Sequence, residues 1–505
     1  MKRHRKKIRA LSKSKLMAYR QCPKRLWLEV HAADKKTDSP ATERSFRIGH
    51  QAGEVAQQIY DPNGRGVLVN PQHDGFTRAI EQSMELMQQD RPVFEATFST
   101  GQALALADVM LPAKGKAGGW KMIEVKSATS VKEYYHDDVA IQMYIATTVG
   151  VDIRQLVLAH IDNQWVYPGK RQYQGLFREV DMTGEASGRN AEVKQWIKEG
   201  QKIVERPTPP DIKTGEQCDE PYQCGFYDLC HTDEGTEFPV HWLPGVGKKK
   251  INRFYDKGIE DMREVPDADL STRQERAKNC TINDSVYADH AGAQKKLLQH
   301  KLPAYFLDFE SIQFAVPLWA GTRPYQQLVF QYSMHRLDKE GKLQHRGFLD
   351  LSGDDPSRAV AEALVRDCGK KGPVFVYHAG FEKTRINELA ARFDDLAEAL
   401  HAINKRLVDL LPIIREHYYH PEQQGSFSLK YVLPAVAPDL DYSELEGVQD
   451  GGMAMDAYAE AIQPDTPAAR KQEIEQQLLK YCERDTFALV RLWQFLQQQT
   501  PTPLV

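Results

Sequence analysis

The sequence predicts a multi-domain protein of the α/β class, and three observations support this prediction. At 505 residues the chain is too long for a single hydrophobic core, so two or three domains are expected. Strand-like and helix-like runs alternate in two long stretches, as in α/β or mixed α+β folds. A Pro-rich lead-in, "RPTPPDIKTGEQC", and a helical segment separate these stretches. We therefore place the domains at residues 1–235, 236–300 and 301–505.

Composition and charge exclude some classes of protein. No apolar run approaches the length of about 20 residues that a membrane-spanning helix needs, so no membrane association is expected. The N-terminus, "MKRHRKKIRALSKSK", is basic but lacks the apolar segment of a signal peptide, so a cytoplasmic location is expected. The net charge of −4 neither requires nor excludes nucleic acid. The basic N-terminus and "GKKKINR" are local positive patches, although such runs are often ordinary solvated surface.

The seven cysteines are unevenly distributed. Four of them form a one-plus-three arrangement, with one near the N-terminus and three at five-residue gaps: Cys22, Cys218, Cys224 and Cys230. Disulfides are unfavourable in a large cytoplasmic chain, whereas thiolate sets bind zinc or iron–sulfur clusters. Zinc usually takes two close Cys-x-x-Cys pairs, so this arrangement favours a [4Fe–4S] cluster, with zinc or no metal as alternatives. Three others are isolated and are predicted to be ordinary core or surface residues: Cys280, Cys368 and Cys482.

The first domain carries acids on two successive strands. "ALALADVMLP" predicts a strand with one acid, Asp108. After a Gly/Lys turn, "GGWKMIEVKSAT" places Glu124 and Lys126 on one strand face, because side chains alternate between faces. The two carboxylates and the Val125 carbonyl are ligands that suit Mg²⁺. Lys126 is suited to orient or deprotonate a water and to offset charge on a scissile phosphate.

This set resembles the core of the PD-(D/E)XK nucleases. "DDVAIQMYIATTVGV" resembles the helix of RecB-type nucleases that carries a Gln and a Tyr, here Gln142 and Tyr144. "LSKSKLMAYRQCPKRLWLE" resembles the opening of their iron–sulfur members, such as the AddB nuclease domain and the CRISPR-adaptation exonucleases. The resemblance implies that the four cysteines named above hold one cluster and staple together the two ends of the domain. They close a loop of 218 − 22 = 196 residues, whose entropic cost ligand binding can offset.

One motif departs from the RecB-type pattern. Those enzymes usually carry a metal-binding His four residues after a Gly, but "FRIGHQAGEVAQ" places Gly53 four residues after Gly49. His50 directly follows the first glycine and is therefore rotated away on a helix. Glu54 is the candidate substitute.

The central segment, "WLPGVGKKKINRFYDKGI", resembles a helix-hairpin-helix element. Pro244, Gly245 and Gly247 would form the hairpin, whose backbone N–H groups at a helix N-terminus can meet a phosphate. Three lysines would add sequence-independent attraction: Lys248, Lys249 and Lys250. Ile251 stands where such motifs prefer a small residue, so a plain structural turn is the alternative.

In the third domain, "AYFLDFES" places Asp308 and Glu310 on one face of an apolar strand. Two carboxylates so placed repel each other and need a cation or a proton between them. "LLKYCERDTFALVRL" places Tyr481 and Asp485 on one face of a helix. "PVFVYHAGFEKTRINEL" predicts a strand leading into a helix that carries Glu382.

These three segments, in this order, resemble the DEDDy branch of the DnaQ-like exonucleases. The resemblance implies a ribonuclease-H-like fold, four acids around two metal ions, and Tyr481 positioning the attacking water. It implies these metal ligands: Asp308, Glu310, Glu382 and Asp485. Two positions depart from the pattern, since Glu382 stands where Asp is usual and His378 where Asn is usual. Asp409, in "RLVDLLPII", is interpreted as structural.

The whole chain resembles a bacterial family in which an iron–sulfur RecB-like nuclease precedes a DnaQ-like exonuclease. We therefore expect a nuclease dependent on Mg²⁺ or Mn²⁺ that degrades single-stranded or end-frayed DNA, in DNA repair or mobile-element defence. One alternative is a nucleic-acid-binding subunit in which one or both sites are degenerate. The other is an RNA-processing exonuclease.

Overall fold

The computed structural model describes residues 10–113, 118–231, 235–440 and 442–502; the basic residues 1–9 therefore lie outside it. The chain folds into two compact units, which confirms the prediction of a multi-domain α/β protein. Unit one comprises Met1–Thr232 and Phe314–Gln326, and unit two comprises Asp233–Gln313 and Gln327–Val505. The central segment, residues 236–300, lies within unit two.

Unit one is built on a seven-stranded sheet. Its strands are β1 (Leu11–Ser12), β2 (Val67–Leu68), β3 (Val93–Ser99), β4 (Ala103–Pro112), β5 (Trp120–Lys126), β6 (Ile153–Ile161) and β7 (Phe177–Asp181). The order is β2-β3-β4-β5-β6-β7, and β1 also pairs with β4. Strands β3, β4 and β5 are antiparallel, β5 and β6 are parallel, and β7 is antiparallel to β6.

The helices of unit one cover this sheet. They are α1 (Lys13–Gln21), α2 (Pro23–His31), α3 (Pro40–Tyr60), α4 (Pro71–Asp74), α5 (Phe76–Leu86), α6 (Glu133–Thr148), α7 (Thr183–Gly188), α8 (Asn190–Val204) and α9 (Tyr227–Cys230). Helix α6 makes the crossover that the parallel pair β5–β6 requires. Val139, Ile141 and Ile145 on α6 are buried in the same core as Leu156 and Leu158 of β6.

Helix α1 has Lys13 at its start and Cys22 at its end. Ser12 caps α1, accepting a hydrogen bond from the Lys15 N–H, so Lys13 is the first helical residue. Cys22 ends α1 in an extended conformation, and Pro23 begins α2 at a position that tolerates proline. Lys13 and Cys22 are therefore held at opposite ends of one short helix.

A segment far along the chain also belongs to unit one. Ala315 and Val316 are buried in a cluster with Ile161 and Leu176. The Tyr325 hydroxyl donates a hydrogen bond of 2.5 Å to the carbonyl of Ser127. The segment Phe314–Gln326 thus contributes to the core of unit one.

Unit two contains a five-stranded sheet and a separate strand pair. The strands are β8 (Tyr287–Ala288), β9 (Ala304–Ile312), β10 (Leu328–Leu337), β11 (Leu343–Leu349), β12 (Val374–Val376), β13 (Leu407–Asp409) and β14 (Tyr418–Tyr419). The sheet order is β11-β10-β9-β12-β13, and β8 pairs with β14. Strand β9 is central, antiparallel to β10 and parallel to β12.

Helices pack on this sheet, and the longest carries two of the predicted site residues. The helices are α10 (Lys248–Asp256), α11 (Thr272–Ile282), α12 (His290–Leu297), α13 (Ser357–Asp367), α14 (Gly380–Arg392), α15 (Asp394–Asn404), α16 (Leu410–His417), α17 (Leu429–Val436), α18 (Gly451–Ala461) and α19 (Ala468–Leu496). The Gln331 side chain on β10 donates to the Leu478 carbonyl at 2.8 Å. Thr486 meets Ser333 of β10 at 2.6 Å, so the register of α19 on the sheet is set on both sides of Tyr481.

The predicted helix-hairpin-helix element is incomplete. The residues before the hairpin form only a three-residue 3₁₀ turn, Val240–Trp242, instead of a first helix. Gly245 has φ +62°, a left-handed conformation that favours glycine, and Gly247 is the N-cap of α10. Ile251 packs against a small local core that includes Phe254, which accounts for a large residue at this position.

Among the helices of the described ranges, none combines the length and the apolar character that crossing a membrane requires.

Candidate metal and cluster sites

Four carboxylates from three elements of unit two lie together, and we call them the carboxylate cluster: Asp308, Glu310, Glu382 and Asp485. Asp308 and Glu310 lie on one face of the central strand β9, Glu382 in the first turn of α14, and Asp485 on α19. The charge of Asp308 interacts with those of the other three. The structure therefore brings together the four acids that the sequence predicted as ligands.

Burial and mutual repulsion oppose ionisation of this cluster. Glu310 and Glu382 are only 7% and 3% exposed. Burial, and then the charge of Asp485, raise the pKa of Asp308 and of Glu310 well above their usual ranges. Burial raises the pKa of Asp485 to about 6 and that of Glu382 to about 8.

The cluster contains few compensating groups. Lys430 on α17 is the cation that lowers the pKa values of Glu310 and Asp485. Oε2 of Glu382 is buried and finds no hydrogen-bond partner among the described residues. Four ionised carboxylates and one lysine leave 4 − 1 = 3 negative charges. Such a set of oxygen donors fits Mg²⁺ or Mn²⁺, because hard divalent ions take carboxylate ligands and supply the missing charge.

Two tyrosines adjoin Asp485. The Tyr442 hydroxyl donates a hydrogen bond to Oδ1 of Asp485, and Tyr481 also lowers the pKa of this carboxyl by hydrogen bonding. The two tyrosine rings lie 6.3 Å apart, centroid to centroid. Tyr481 was predicted for the site, whereas Tyr442 was not, because it follows a loop with no distinguishing pattern.

Cys482 also belongs to this site, so the prediction that it is an ordinary core or surface residue is incomplete. Its side chain is fully buried, and its Sγ and carboxylate oxygens of Asp308 and Glu310 lie within 4.8 Å of one another. The signal that the sequence contained is its position three residues before Asp485, which places both residues on one helix face.

Asp409 and His378, the other two residues named for this domain from the sequence, are joined by a hydrogen bond from the His378 backbone. The Asp409 carboxylate accepts hydrogen bonds from the backbone N–H groups of His378, Ala379 and Leu411 at 2.9, 3.0 and 2.9 Å. This engagement fits its interpretation as a structural residue. His378 has an exposed side chain and a left-handed φ of +70°, and it meets Asp409 through its backbone.

Unit one holds a second polar group, the lysine–carboxylate cluster. It includes four predicted residues, Asp108, Glu124, Lys126 and Gln142, and three others, Lys13, Glu95 and Asp138. Oε1 of Glu124 accepts hydrogen bonds from Lys13 at 2.7 Å and from Lys126 at 2.6 Å. Gln142 donates to Oε2 of Glu124 at 2.5 Å, which places the predicted glutamine in the site. Asp108 accepts from the Val125 N–H at 2.7 Å.

Lys13 and Asp138 were not predicted for this site. Asp138 lies one helical turn before Gln142 and meets Lys126 at 2.5 Å and Lys13 at 3.0 Å. Burial opposes its ionisation, but the charges of Lys126 and Lys13 outweigh burial and hold its pKa below the usual range. The i, i+4 spacing of Asp138 and Gln142 was a readable signal. Nothing in the sequence connected Lys13 with strand β5.

The net charge of the lysine–carboxylate cluster is the one that a single divalent cation would neutralise. Burial, and then the charge of Glu124, raise the pKa of Asp108 and of Glu95. Four carboxylates and two lysines leave 4 − 2 = 2 negative charges, which one divalent cation would balance. Because both lysines already bind Oε1 of Glu124, an ion at this carboxylate competes with Lys13 and Lys126.

The remaining weak candidates of unit one lie elsewhere. His50 and Glu54 pair with each other at 3.4 Å on an exposed face of α3, with side chains 83% and 61% exposed. His50 nevertheless lies near enough to Glu95 to lower its pKa. Tyr144 packs against the hydrophobic core and is not brought to the lysine–carboxylate cluster.

The four predicted cluster ligands line one cavity of unit one. It has an empty volume of about 330 Å³ including its part open to solvent, and all four cysteines line it together with Lys24 and Arg25. The Cys224 N–H donates to the Cys218 carbonyl at 2.7 Å, which holds these two residues together. Burial raises the pKa of Cys224 and of Cys230, while Arg25 and Lys24, respectively, oppose this rise.

The chemistry of these thiols fits an iron–sulfur cluster. Four thiols around one cavity are the donor set that [4Fe–4S] clusters use. A single tetrahedral zinc ion can also take four thiolates and is the alternative occupant of this cavity.

The other two cysteines are buried as expected. Cys280 lies on α11, and Cys368 contacts the Arg406 guanidinium at 3.3 Å. Both are structural by position.

The lysines of the central segment are only partly available to bind a ligand. Lys250 donates to the Asp269 carbonyl and lies over the Phe254 ring at 5.9 Å. Lys248 and Lys249 have exposed side chains at the start of α10. In the predicted basic patch, the Lys250 side chain is therefore already bound by other residues of unit two.

Part of the chain matches a known family model. A family model described as a domain of unknown function, DUF2779, matches residues 305–428, about a quarter of the chain. The matched region includes Asp308, Glu310 and Glu382 but ends before Asp485. No curated protein matches the sequence.

Proposed function

We propose that the protein is a divalent-metal-dependent nuclease whose unit two is a 3′→5′ exonuclease. The observation that carries this proposal is the carboxylate cluster: three elements bring together four buried acids, with Lys430 as the opposing cation and Oε2 of Glu382 unpartnered. A protein tolerates such an arrangement when bound cations replace the missing positive charge. The sheet order β11-β10-β9-β12-β13, with β9 central, supports the ribonuclease-H-like resemblance.

The residues of unit two have distinct proposed roles. The carboxylate cluster holds the ions, and Tyr442 fixes the orientation of Asp485 through its hydrogen bond. The Tyr481 hydroxyl, beside Asp485, orients the attacking water. When divalent ions are bound, such a site supplies charge stabilisation at the phosphate and a water of lowered pKa.

Unit one is proposed as a second nuclease site of the PD-(D/E)XK type. Its strand order, with β3, β4 and β5 antiparallel and β6 parallel to β5 after a crossover helix, supports the resemblance. Asp108 and Glu124 would hold one divalent ion. Lys126, kept charged by Asp138, would orient the water or stabilise the phosphate. The four cysteines are proposed to hold a [4Fe–4S] cluster.

The proposed substrate is single-stranded or end-frayed DNA, in repair or mobile-element defence in the cytoplasm. Single-stranded or end-frayed RNA is the alternative substrate. One observation favours a second function, in which unit one only binds nucleic acid: Glu124 is already saturated by Lys13, Lys126 and Gln142. In that case unit two alone cleaves.

The test uses purified full-length protein with Mg²⁺ or Mn²⁺ and end-labelled single strands of DNA and of RNA. We expect Asp308→Ala to abolish 3′ trimming of a 5′-labelled strand, at a loss on the order of a thousandfold, because a metal ligand is removed. Asp108→Ala is expected to leave 3′ trimming intact and to remove any other cleavage. Two exposed acids serve as controls, Asp465→Ala for unit two and Glu205→Ala for unit one. Trimming by Asp308→Ala at the wild-type rate would refute the exonuclease proposal.

A further inference from the structure

We infer that Cys482 makes the metal centre of unit two a mixed sulfur–oxygen site that binds a thiophilic divalent ion, such as Zn²⁺ or Cd²⁺, with Asp308 and Glu310. The inference rests on the metal centre proposed above but not on nuclease activity. Neither the DUF2779 match nor the DEDDy resemblance assigns a role to this residue. The resemblance implies oxygen ligands alone.

The geometry places the sulfur within reach of a shared ion. Sγ of Cys482 and oxygens of Asp308 and Glu310 lie within 4.8 Å of one another. For three points so close, some position lies no more than about 2.8 Å from all of them, against ~2.3 Å for a Zn–S bond and ~2.0–2.2 Å for Zn–O. Movements of about 0.5 Å for the sulfur and ~0.6–0.8 Å for the oxygens would complete the coordination.

The position of the sulfur is held by the packing of α19. Gln331 binds the Leu478 carbonyl one turn before Cys482, and Ser333 binds Thr486 one turn after it. Ser333 is also the register partner of Asp308 across β9 and β10. The strand that holds Asp308 and the helix that holds Cys482 are therefore fixed to the same neighbour.

A second observation points independently to an ion. Glu382 is 97% buried, since its exposure is 3%, and its Oε2 has no partner among the described residues. The charge of Glu382 acts on Asp308. Glu382 is therefore a buried carboxyl within electrostatic range of Asp308, one of the three residues of this group. A buried polar atom without a partner is costly, and a bound cation would remove that cost.

The chemistry of the sulfur sets the preference among ions. A thiolate is a soft ligand that selects zinc-like ions, whereas Mg²⁺ takes oxygen ligands and keeps several waters. On binding, the S–H bond of Cys482 breaks as the sulfur–metal bond forms, and the proton passes to solvent. Cys482 is thus expected to favour Zn²⁺ or Cd²⁺ over Mg²⁺, so that these ions displace Mg²⁺ from the site.

The experiment measures cadmium binding directly. CdCl₂ is titrated anaerobically into purified full-length protein, and the ultraviolet thiolate-to-cadmium charge-transfer absorption is followed as a difference spectrum. We expect the wild type to show a saturating band that Cys482→Ser and Cys482→Ala lack. Asp308→Ala should weaken cadmium binding at least tenfold. Cys368→Ser, which removes another fully buried thiol of unit two, should keep the band.

Iron content is measured in every sample, so that cadmium uptake at the four-cysteine cavity is recognised by iron loss. A band of equal intensity in Cys482→Ser at unchanged iron content would overturn the inference. If both Cys482 variants lose the circular dichroism of the folded protein, a second measurement takes their place. X-ray absorption at the cadmium edge is then recorded for the wild type, in samples whose iron content is unchanged. A sulfur neighbour then supports the inference, and oxygen neighbours alone overturn it. A wild type that binds cadmium through Cys482 but cleaves no nucleic acid would refute the proposed function and leave this inference intact.

Discussion

Lys13 donates a hydrogen bond of 2.7 Å to Oε1 of Glu124, a residue 111 positions further along the chain. The pair joins the first helix of unit one to its central hairpin. Lys13 also meets Asp138 at 3.0 Å, so its charge compensates two acids whose side chains are almost fully buried. This contact makes the N-terminal helix part of the lysine–carboxylate cluster. Loss of the contact is expected to lower the stability of unit one.

Replacing Lys13 by Met is expected to destabilise unit one. The change leaves Glu124 and Asp138 with Lys126 as their remaining lysine, and a buried charge without its partner costs about 1–3 kcal/mol. Because the Lys13 side chain is 20% exposed, the lower part of this range is expected. Urea unfolding of the full chain, followed by a probe in unit one, measures the loss. Lys15→Met, two residues along the same helix, is the control, and equal stability of the two variants would contradict the prediction.

Gly53→His is expected to raise metal affinity in unit one. Gly53 occupies the position where RecB-type nucleases carry a metal-binding His, and a Cβ built there meets nothing within 4 Å. The substitution should also add up to ~0.5 kcal/mol of helix stability, since glycine is a poor helix former. Calorimetric titration of Mn²⁺ measures the affinity, in protein that also carries Asp308→Ala so that binding in unit two is weakened.

Gly49→His is the matched control for this substitution. It adds the same side chain one turn earlier on α3, also where a Cβ meets nothing within 4 Å. If both histidines change Mn²⁺ affinity equally, the gain is not due to the family position.

The metal-depleted protein is expected to lose stability as pH rises from about 4.5 to about 8. Burial raises the pKa of Glu382 from 4.5 to about 8, so the folded state binds its proton more tightly than the unfolded state. The stabilising contribution is complete below the unfolded pKa and is lost as pH rises through the folded pKa. A shift of this size corresponds to a few kcal/mol at most. Glu382→Gln should reduce the slope of the urea midpoint against pH, to which the other three carboxyls of the cluster also contribute, whereas Glu398→Gln, an exposed residue, should not.

Glu382→Asp is expected to keep or raise 3′ trimming, and Glu382→Ala to abolish it. The aspartate is the residue usual at this position of DEDDy enzymes, and it retains a carboxylate for the ion. The alanine variant removes the carboxyl whose Oε2 is unpartnered. The ladder of products from a 5′-labelled strand, with Mn²⁺ in excess, measures both rates. Trimming by Glu382→Ala at the wild-type rate would remove Glu382 from the metal centre.

Protein purified anaerobically is expected to be brown, with broad absorbance near ~400 nm, as thiolate-bound iron–sulfur clusters show. Cys22→Ser should release the cluster and lower the unfolding temperature of unit one, because Cys22 ends the helix that begins at Lys13. Cys368→Ser should do neither. Stoichiometric zinc without iron in anaerobic wild-type protein would contradict the cluster.

Local periodicity was sufficient to predict several features of the sites. The alternation of a strand puts Asp308 and Glu310 on one face of β9, and the repeat of a helix puts Tyr481 and Asp485 on one face of α19. These relationships depend on backbone geometry over a few residues, so the sequence alone determines them. The same holds for Glu124 and Lys126 on β5.

Contacts between distant segments were decided by the tertiary structure. Lys13 beside Glu124, Tyr442 beside Asp485, and Cys482 beside Asp308 each join elements far apart in the chain. The same limit applies to the central segment, whose small core belongs to unit two. No local pattern encodes which helix will cover which strand, because that choice depends on how all the apolar faces are buried together. Sequence periodicity therefore determined the direction of each side chain on its own element, and only the packing of these elements decided which side chains share a site.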